Sequence, residues 1–156
     1  MITRTGFIKR AGVVLMAVPC FAHAVLGGAP TTTSSAQTAL KASVKAAQSS
    51  TSSSTAFSVN TLQTSLGTTI NEYVGTDGKV FAVSWSGPQM PDLRVLLGTY
   101  FPQLSDNATT HHAGHTSSLV NTSDLVVQSG GKPLAYHGRA WVPAMLPSGV
   151  TTDQIQ

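Results

Sequence analysis

The stretch "KVFAVSWSGPQMPDLRVLLGTYF", residues 79–101, decides the fold. Its first part, VFAVSW, is rich in β-branched and aromatic residues and predicts a strand. Gly87 and Pro88 end that strand, because proline lacks the N–H donor that a central sheet ladder needs. Pro91 suits the first turn of a helix, and the carboxylate of Asp92 suits the positive end of the helix dipole. We therefore expect a strand followed directly by a helix.

The predicted helix has one continuous apolar face. Five large side chains lie at positions i, i+3, i+4, i+7 and i+8: Leu93, Leu96, Leu97, Tyr100 and Phe101. Burying them would contribute on the order of 10 kcal/mol, at about 1.5–3 kcal/mol each, before entropy is subtracted. Pro102 restricts the backbone of Phe101 and is expected to end the helix. The segment is predicted to be scaffold.

Strands are predicted on both sides of the helix. Asp77 and Gly78, between two apolar runs, are typical of a hairpin turn. The polar residues 103–118 are expected to form a loop. The predicted strands lie within residues 56–64, 68–74, 80–85, 124–128 and 133–143. Because hairpin-length links predominate, we expect an α+β fold: an antiparallel sheet of about five strands (β-β-β-α-β-β) with one helix packed on one face.

The first 24 residues have the three-part pattern of a secretory signal peptide: basic residues, an apolar run over 11–22, and small residues at Ala22 and Ala24. The apolar run is about half the length of a membrane-spanning helix, so a stable membrane anchor is the less favoured alternative. We expect export by the general secretory route, cleavage after Ala24, no stable membrane insertion afterwards, and residence in the periplasm or outside the cell.

Two further segments follow the predicted signal peptide. Residues 25–56 are rich in Ser, Thr and Ala and cannot bury enough apolar surface to offset the entropy of ordering. We expect a flexible leader, in which residues 37–48 form a transient helix; a tether to the cell envelope is the alternative. Residues 57–156 are expected to form a single α+β domain.

Charge and cysteine content exclude several functions. The chain has nine Lys and Arg against six Asp and Glu, and three of the nine (Arg4, Lys9 and Arg10) belong to the predicted signal peptide. The mature chain would therefore have no net charge and no basic cluster for nucleic acid. Its single cysteine, Cys20, would also be removed, which excludes disulfides, thiolate-bound metals and a cysteine nucleophile.

The motif HHAGH is a candidate metal site. His111, His112 and His115 offer imidazoles at close spacing, and His111 and His115 would share a face if the segment were helical. The alternative is a solvated loop that binds divalent metal weakly, because no carboxylate lies in the motif. No phosphate-binding or dinucleotide motif occurs, so no other cofactor is expected.

The last predicted strand offers a candidate ligand site. His137, Arg139 and Trp141 alternate onto one side of it, on the sheet face expected to lie opposite the helix. Arg and Trp are frequent in binding hot spots, and Arg recognises carboxylates and phosphates. The alternative is structural: Arg139 pairs with Glu72 or an Asp, and Trp141 covers a sheet edge.

No catalytic pattern stands out. The sequence has no G-x-S-x-G motif and no carboxylate pair that suggests glycoside hydrolysis. We expect a non-enzymatic exported domain that binds an envelope protein or a cell-wall component. The alternative is a metal-binding protein or metal-dependent enzyme that uses the loop histidines.

The order of the motifs carries a family resemblance. Five segments are similar to those of the bacterial domain-of-unknown-function family 2844, a family of short exported proteins. They are LGGAP, GTTINEYV, the segment 79–101, VVQSGGKPLAYHGRAWVPAMLPSGV and the final DQIQ. The resemblance implies export and a shared fold. It implies no established activity, so it transfers no catalytic residue.

Overall fold

A computed structural model gives the fold of the protein and describes residues 26–31, 38, 42–52, 55–110 and 118–156. Antiparallel strands form one sheet in the order β1-β2-β3-β4-β7-β6-β5. The strands are β1 (Ala42–Ser52), β2 (Thr55–Thr64), β3 (Thr69–Val74), β4 (Val80–Gly87), β5 (Ser118–Asn121), β6 (Val126–Lys132) and β7 (Ala135–Trp141). The predicted α+β class is confirmed. Six strands rather than five follow residue 55, and β1 precedes them.

Two helices and a 3-10 turn connect β4 to β5. They are α1 (Leu93–Leu97), the turn Gly98–Tyr100, and α2 (Phe101–Thr110). The side chain of Asp92 caps α1 by accepting hydrogen bonds from the backbone N–H groups of Arg94 and Val95, at 2.9 and 3.4 Å. Among the described residues, no helix is both long and apolar enough to cross a membrane.

The expected end of the helix is wrong. α1 ends because Gly98 adopts a φ of 50°, which favours glycine. Pro102 lies instead in the first turn of α2, where the lack of an N–H breaks no helical hydrogen bond. The expected loop over 103–118 is wrong for residues 103–110, which belong to α2, and β5 begins at Ser118.

One side of the sheet, here named the helix face, carries the larger core. All five side chains of the predicted apolar stripe contribute to it. Leu96 and Leu97 are fully buried, and Leu93, Tyr100 and Phe101 pack against the same core while partly buried. The stripe therefore covers one face of the sheet, as predicted.

The opposite side, here named the tail face, is partly covered by residues 143–156, the tail. Strand pairing places Tyr73, Ala82, Trp141 and Val126 in one row across this face. Ile155 of the tail is fully buried in the same cluster. This face does lie opposite the helices, as predicted, but the tail covers the part of it around Trp141.

Residues 26–31 have a defined position on the sheet, although the sequence analysis expected a flexible leader there. Leu26 is 1% exposed in the core of the helix face. The N–H of Gly27 donates to the carbonyl of Val80 at 2.7 Å, and the N–H of Val80 donates to the carbonyl of Gly28 at 2.8 Å. β1 also lies in the expected leader and pairs with β2. The boundaries of the predicted segments stay a prediction.

Candidate functional site

A row of polar side chains crosses the tail face. Asn71 lies opposite Ser84, Ser84 opposite Arg139, and Arg139 opposite Gln128, on four neighbouring strands. Residues directly opposite each other in an antiparallel pair share a face of the sheet. His137, two residues before Arg139, lies on this face as well. The row therefore brings together polar groups that are up to 68 positions apart in the sequence.

Arg139 is half-buried and holds the tail. Its Nε donates to Oε1 of Gln128 at 2.8 Å, and its Nη1 donates to the carbonyls of Thr152 and Ile155 at 2.8 and 3.4 Å. The guanidinium carbon also lies 5.5 Å from the centre of the buried Trp141 ring. Arg139 therefore attaches the tail to the sheet through neutral oxygen atoms.

Three more side chains bind the last residue of the tail. The main-chain oxygen of Gln156 accepts hydrogen bonds from the Tyr73 hydroxyl at 2.5 Å, from Ser84 Oγ at 2.7 Å and from Asn71 Nδ2 at 3.0 Å. The N–H of Gln156 donates to the Tyr73 oxygen at 2.8 Å. The tail is therefore fixed in position on both sides of buried Ile155.

A pocket of about 590 Å³, here named the tail pocket, opens beside the tail. Its wall is mostly apolar and combines the end of the tail with strands β4, β5, β6 and β7. The residues that matter below are Ser86, Leu119, Gln128, His137, Arg139 and Ile155. Leu119 is 65% exposed on the edge strand β5. Among the described residues of the wall, the charged or titratable side chains are Arg139 and His137, and none is acidic.

A glycine helps to keep the tail pocket open. Gly130 pairs with His137 across β6 and β7, and a β-carbon at Gly130 would lie 3.3 Å from Nε2 of His137. A larger side chain there would fill the space that the imidazole borders. A glycine inside a strand often marks a place where another group approaches the backbone closely. Gly130 was therefore a signal for this site in the sequence.

The structure places the predicted ligand residues as follows. His137, Arg139 and Trp141 do lie on one face, opposite the helices. His137 and Arg139 line the tail pocket, whereas Trp141 is buried under the tail and outside the pocket. The alternative pairing of Arg139 with Glu72 is wrong, because Glu72 faces the helix side of the sheet. Whether these residues bind a ligand stays a prediction.

The candidate metal site lies outside the described residues. His111, His112 and His115 fall between Thr110 and Ser118, so their role stays a prediction. Within the described segments, no group of three or more His, Cys, Asp or Glu side chains is placed to hold a metal ion.

Glu72 is a buried carboxyl group. The sequence alone suggested only that it pairs with Arg139. It is 1% exposed and accepts hydrogen bonds from the N–H of Thr31 at 2.9 Å, from the Thr31 hydroxyl, and from Asn60 Nδ2 at 2.7 Å. Burial raises the pKa of Glu72 above its ordinary value, and these hydrogen bonds oppose the rise without cancelling it. In the sequence, the alternation of β3 could have indicated that Glu72 is buried, because it lies between Ile70 and Val74, which are both buried.

One end of the sheet exposes apolar side chains on neighbouring turns. Leu66 precedes β3, Met90 follows β4, and Leu134 lies between β6 and β7. Leu134 is 78% exposed and has a φ of 70°, which only glycine adopts without strain. Neither the backbone geometry nor burial explains a leucine at this position.

Comparison with protein-family models gives a match over most of the chain. The family described as "Protein of unknown function (DUF2844)" matches residues 22–155. Comparison with the curated proteins and with the solved structures finds no match. The matched range includes all seven strands, both helices and nearly all of the tail.

Proposed function

The chain belongs to the DUF2844 family, and from that premise we propose that it is an exported, non-enzymatic protein that binds a small molecule in the tail pocket. The pocket itself is the observation that supports this proposal. Its volume of about 590 Å³ lies within the range of about 300–1,000 Å³ that is usual for small-molecule sites. The ligand would come from the cell envelope or from outside the cell.

The hydrogen bonds at the pocket favour binding over catalysis. Ser84 donates to Gln156, and Arg139 donates to Gln128 and to two carbonyls of the tail. These groups are therefore engaged in fixing the wall of the pocket. A fixed, mostly apolar wall is what a binding site needs, because little ordering then accompanies the entry of a ligand.

The position of Leu26 is compatible with the export that we propose. The proposed cleavage after Ala24 would retain Leu26, which fills a place in the core, and Thr31, which binds Glu72. Residues 1–24 would supply only the targeting signal. A periplasmic or extracellular location follows from this proposal.

A fluorescence titration tests the pocket. The neutral dye Nile red is titrated into the wild-type chain, into Ser86→Trp and into Ser65→Trp. Ser86 is exposed and lines the pocket, so an indole there would occupy it; Ser65 is exposed in the turn before β3 and serves as the control. The three proteins have identical N-terminal residues. Any dye that binds to these residues therefore contributes the same fluorescence in all three titrations.

We expect saturable binding by the wild type and by Ser65→Trp, and at least a tenfold loss of affinity in Ser86→Trp. Thermal denaturation verifies that both variants are folded. Equal affinities for all three chains would show that the dye binds elsewhere and would overturn the proposal.

A further inference from the structure

We propose that the ligand of the tail pocket is an anionic amphiphile. Its acidic head group binds the guanidinium of Arg139, and its apolar body lies against Leu119. This inference rests on the proposed function, because it specifies the class of molecule that the pocket takes.

The hydrogen bonds of Arg139 leave part of the guanidinium available. A guanidinium has five N–H groups. Nε uses its one N–H on Gln128, and Nη1 contacts the two carbonyls of Thr152 and Ile155. Within the part of the chain that the structure describes, the two N–H groups of Nη2 have no acceptor. A carboxylate or phosphate oxygen in the pocket could accept from them.

Within the described residues, no acidic side chain compensates the charge of Arg139. Its three acceptors are neutral amide oxygens, and no carboxylate of the described residues forms an ion pair with it. The ring of Trp141 offsets only part of the cost of half-burying a cation. The wall of the pocket adds His137 and contributes no acidic side chain among the described residues. The described side chains of the pocket wall are therefore complementary to an anion.

The rest of the wall suits an apolar body. Leu119 lines the pocket and is 65% exposed on the edge strand. Covering Leu119 would remove apolar surface from water, which favours association. A ligand with a charged head and a chain of about ten carbons meets both requirements within about 590 Å³.

The test is a calorimetric titration of the full chain with four ten-carbon compounds, each kept below its micelle concentration. They are decanoate, decyl phosphate, decan-1-ol and decyltrimethylammonium. We expect at least one of the two anions to bind about tenfold or more tightly than the alcohol, and the cation to bind most weakly. A preference between decanoate and decyl phosphate identifies the head group. The affinity of the preferred anion should also fall with added salt, while that of the alcohol stays constant.

Two variants separate the charge of Arg139 from its contact with the tail. Arg139→Met removes the cation and should reduce the preference for the anion over the alcohol to less than about twofold. Asn71→Ala removes one hydrogen bond to Gln156 without touching the pocket, and it should keep the preference. The wild-type series remains decisive if Arg139→Met does not fold.

The outcomes distinguish the two proposals. If the alcohol binds as tightly as both anions, the inference about the ligand is overturned while binding in the pocket stands. If none of the four compounds binds, the inference is overturned, and the Nile red titration decides whether the pocket binds a small molecule at all.

Discussion

The backbone N–H of Thr31 donates a hydrogen bond of 2.9 Å to the carboxyl group of Glu72, across 41 positions of sequence. The same Glu72 oxygen accepts from Asn60 at 2.7 Å, and the Thr31 hydroxyl binds the other oxygen. All three donors are neutral. The link therefore joins residues 26–31 to the sheet through a buried acid that has no cationic partner among the described residues.

Replacing Glu72 with glutamine should raise the free energy of unfolding at pH 7 by about 1 kcal/mol. The amide oxygen can accept from Thr31 and Asn60, and the amide nitrogen can donate to the Thr31 hydroxyl, without the cost of burying a charge. Urea denaturation measures the change. Glu72→Ala is the comparison and should lower the free energy of unfolding by about 1–3 kcal/mol, because it leaves buried donors unpaired. A less stable Glu72→Gln variant would show that the charge itself stabilises the link.

The stability of the wild type should depend on pH through Glu72. Because the pKa of Glu72 is raised above 4.5 in the folded state, its contribution is fully present below the unfolded pKa near 4.5. That contribution is lost as the pH rises through the folded pKa. The free energy of unfolding of the wild type, relative to Glu72→Gln, should therefore decrease from pH 4 towards neutral pH. A difference that is constant over this range, or that changes in the opposite direction, would contradict the assignment.

Replacing Leu134 with glycine should stabilise the protein by about 0.5–1 kcal/mol. Glycine removes the strain at a φ of 70°, which outweighs the greater entropy that glycine gives the unfolded chain. Little burial is lost, since Leu134 is largely exposed. Leu66→Gly is the control: Leu66 is exposed and its φ is not positive, so the change should be neutral or destabilising. Thermal and urea unfolding of the two variants check the prediction, and equal effects would argue against strain at Leu134.

Truncating Ile155 to alanine should lower the free energy of unfolding by about 2–4 kcal/mol, the usual range for a buried aliphatic side chain. Ile155 is a residue of the tail and is fully buried in the cluster that contains Trp141. Val150→Ala, at a partly buried position of the same tail, should cost less. Chemical denaturation followed by tryptophan fluorescence reports both changes. A loss below 0.5 kcal/mol for Ile155→Ala would show that the tail is not part of the folded core.

Local patterns predicted the elements that local interactions determine. The spacing of Leu93, Leu96 and Leu97 predicted the helical cover, and Asp92 predicted its start. The alternation along β7 placed His137 and Arg139 on the correct face. Each of these features depends on neighbours within a few residues.

The sequence could not show features that depend on distant contacts. The hydrogen bond from Thr31 to Glu72 and those from Arg139 to the tail leave no periodic pattern. The start of α2 at Phe101 depends on the conformation of Gly98, which ends α1. In the sequence, Pro102 indicated only that the predicted helix ends there. The tail pocket is lined by Ile155 of the tail together with Gly130 and His137 of the sheet, which are distant from Ile155 in the sequence.

Binding of an anionic amphiphile in the tail pocket is checked most directly by an NMR titration of the isotope-labelled chain with decanoate or decyl phosphate, whichever binds more tightly. We expect the largest shift changes at the Arg139 side-chain N–H groups and at the backbone amides of Leu119 and His137, and we expect Arg139→Met to need about tenfold more of the anion for the same amide shifts. Shift changes confined to other places, such as the turns around Leu66 and Leu134, would show that the anion does not bind in the tail pocket.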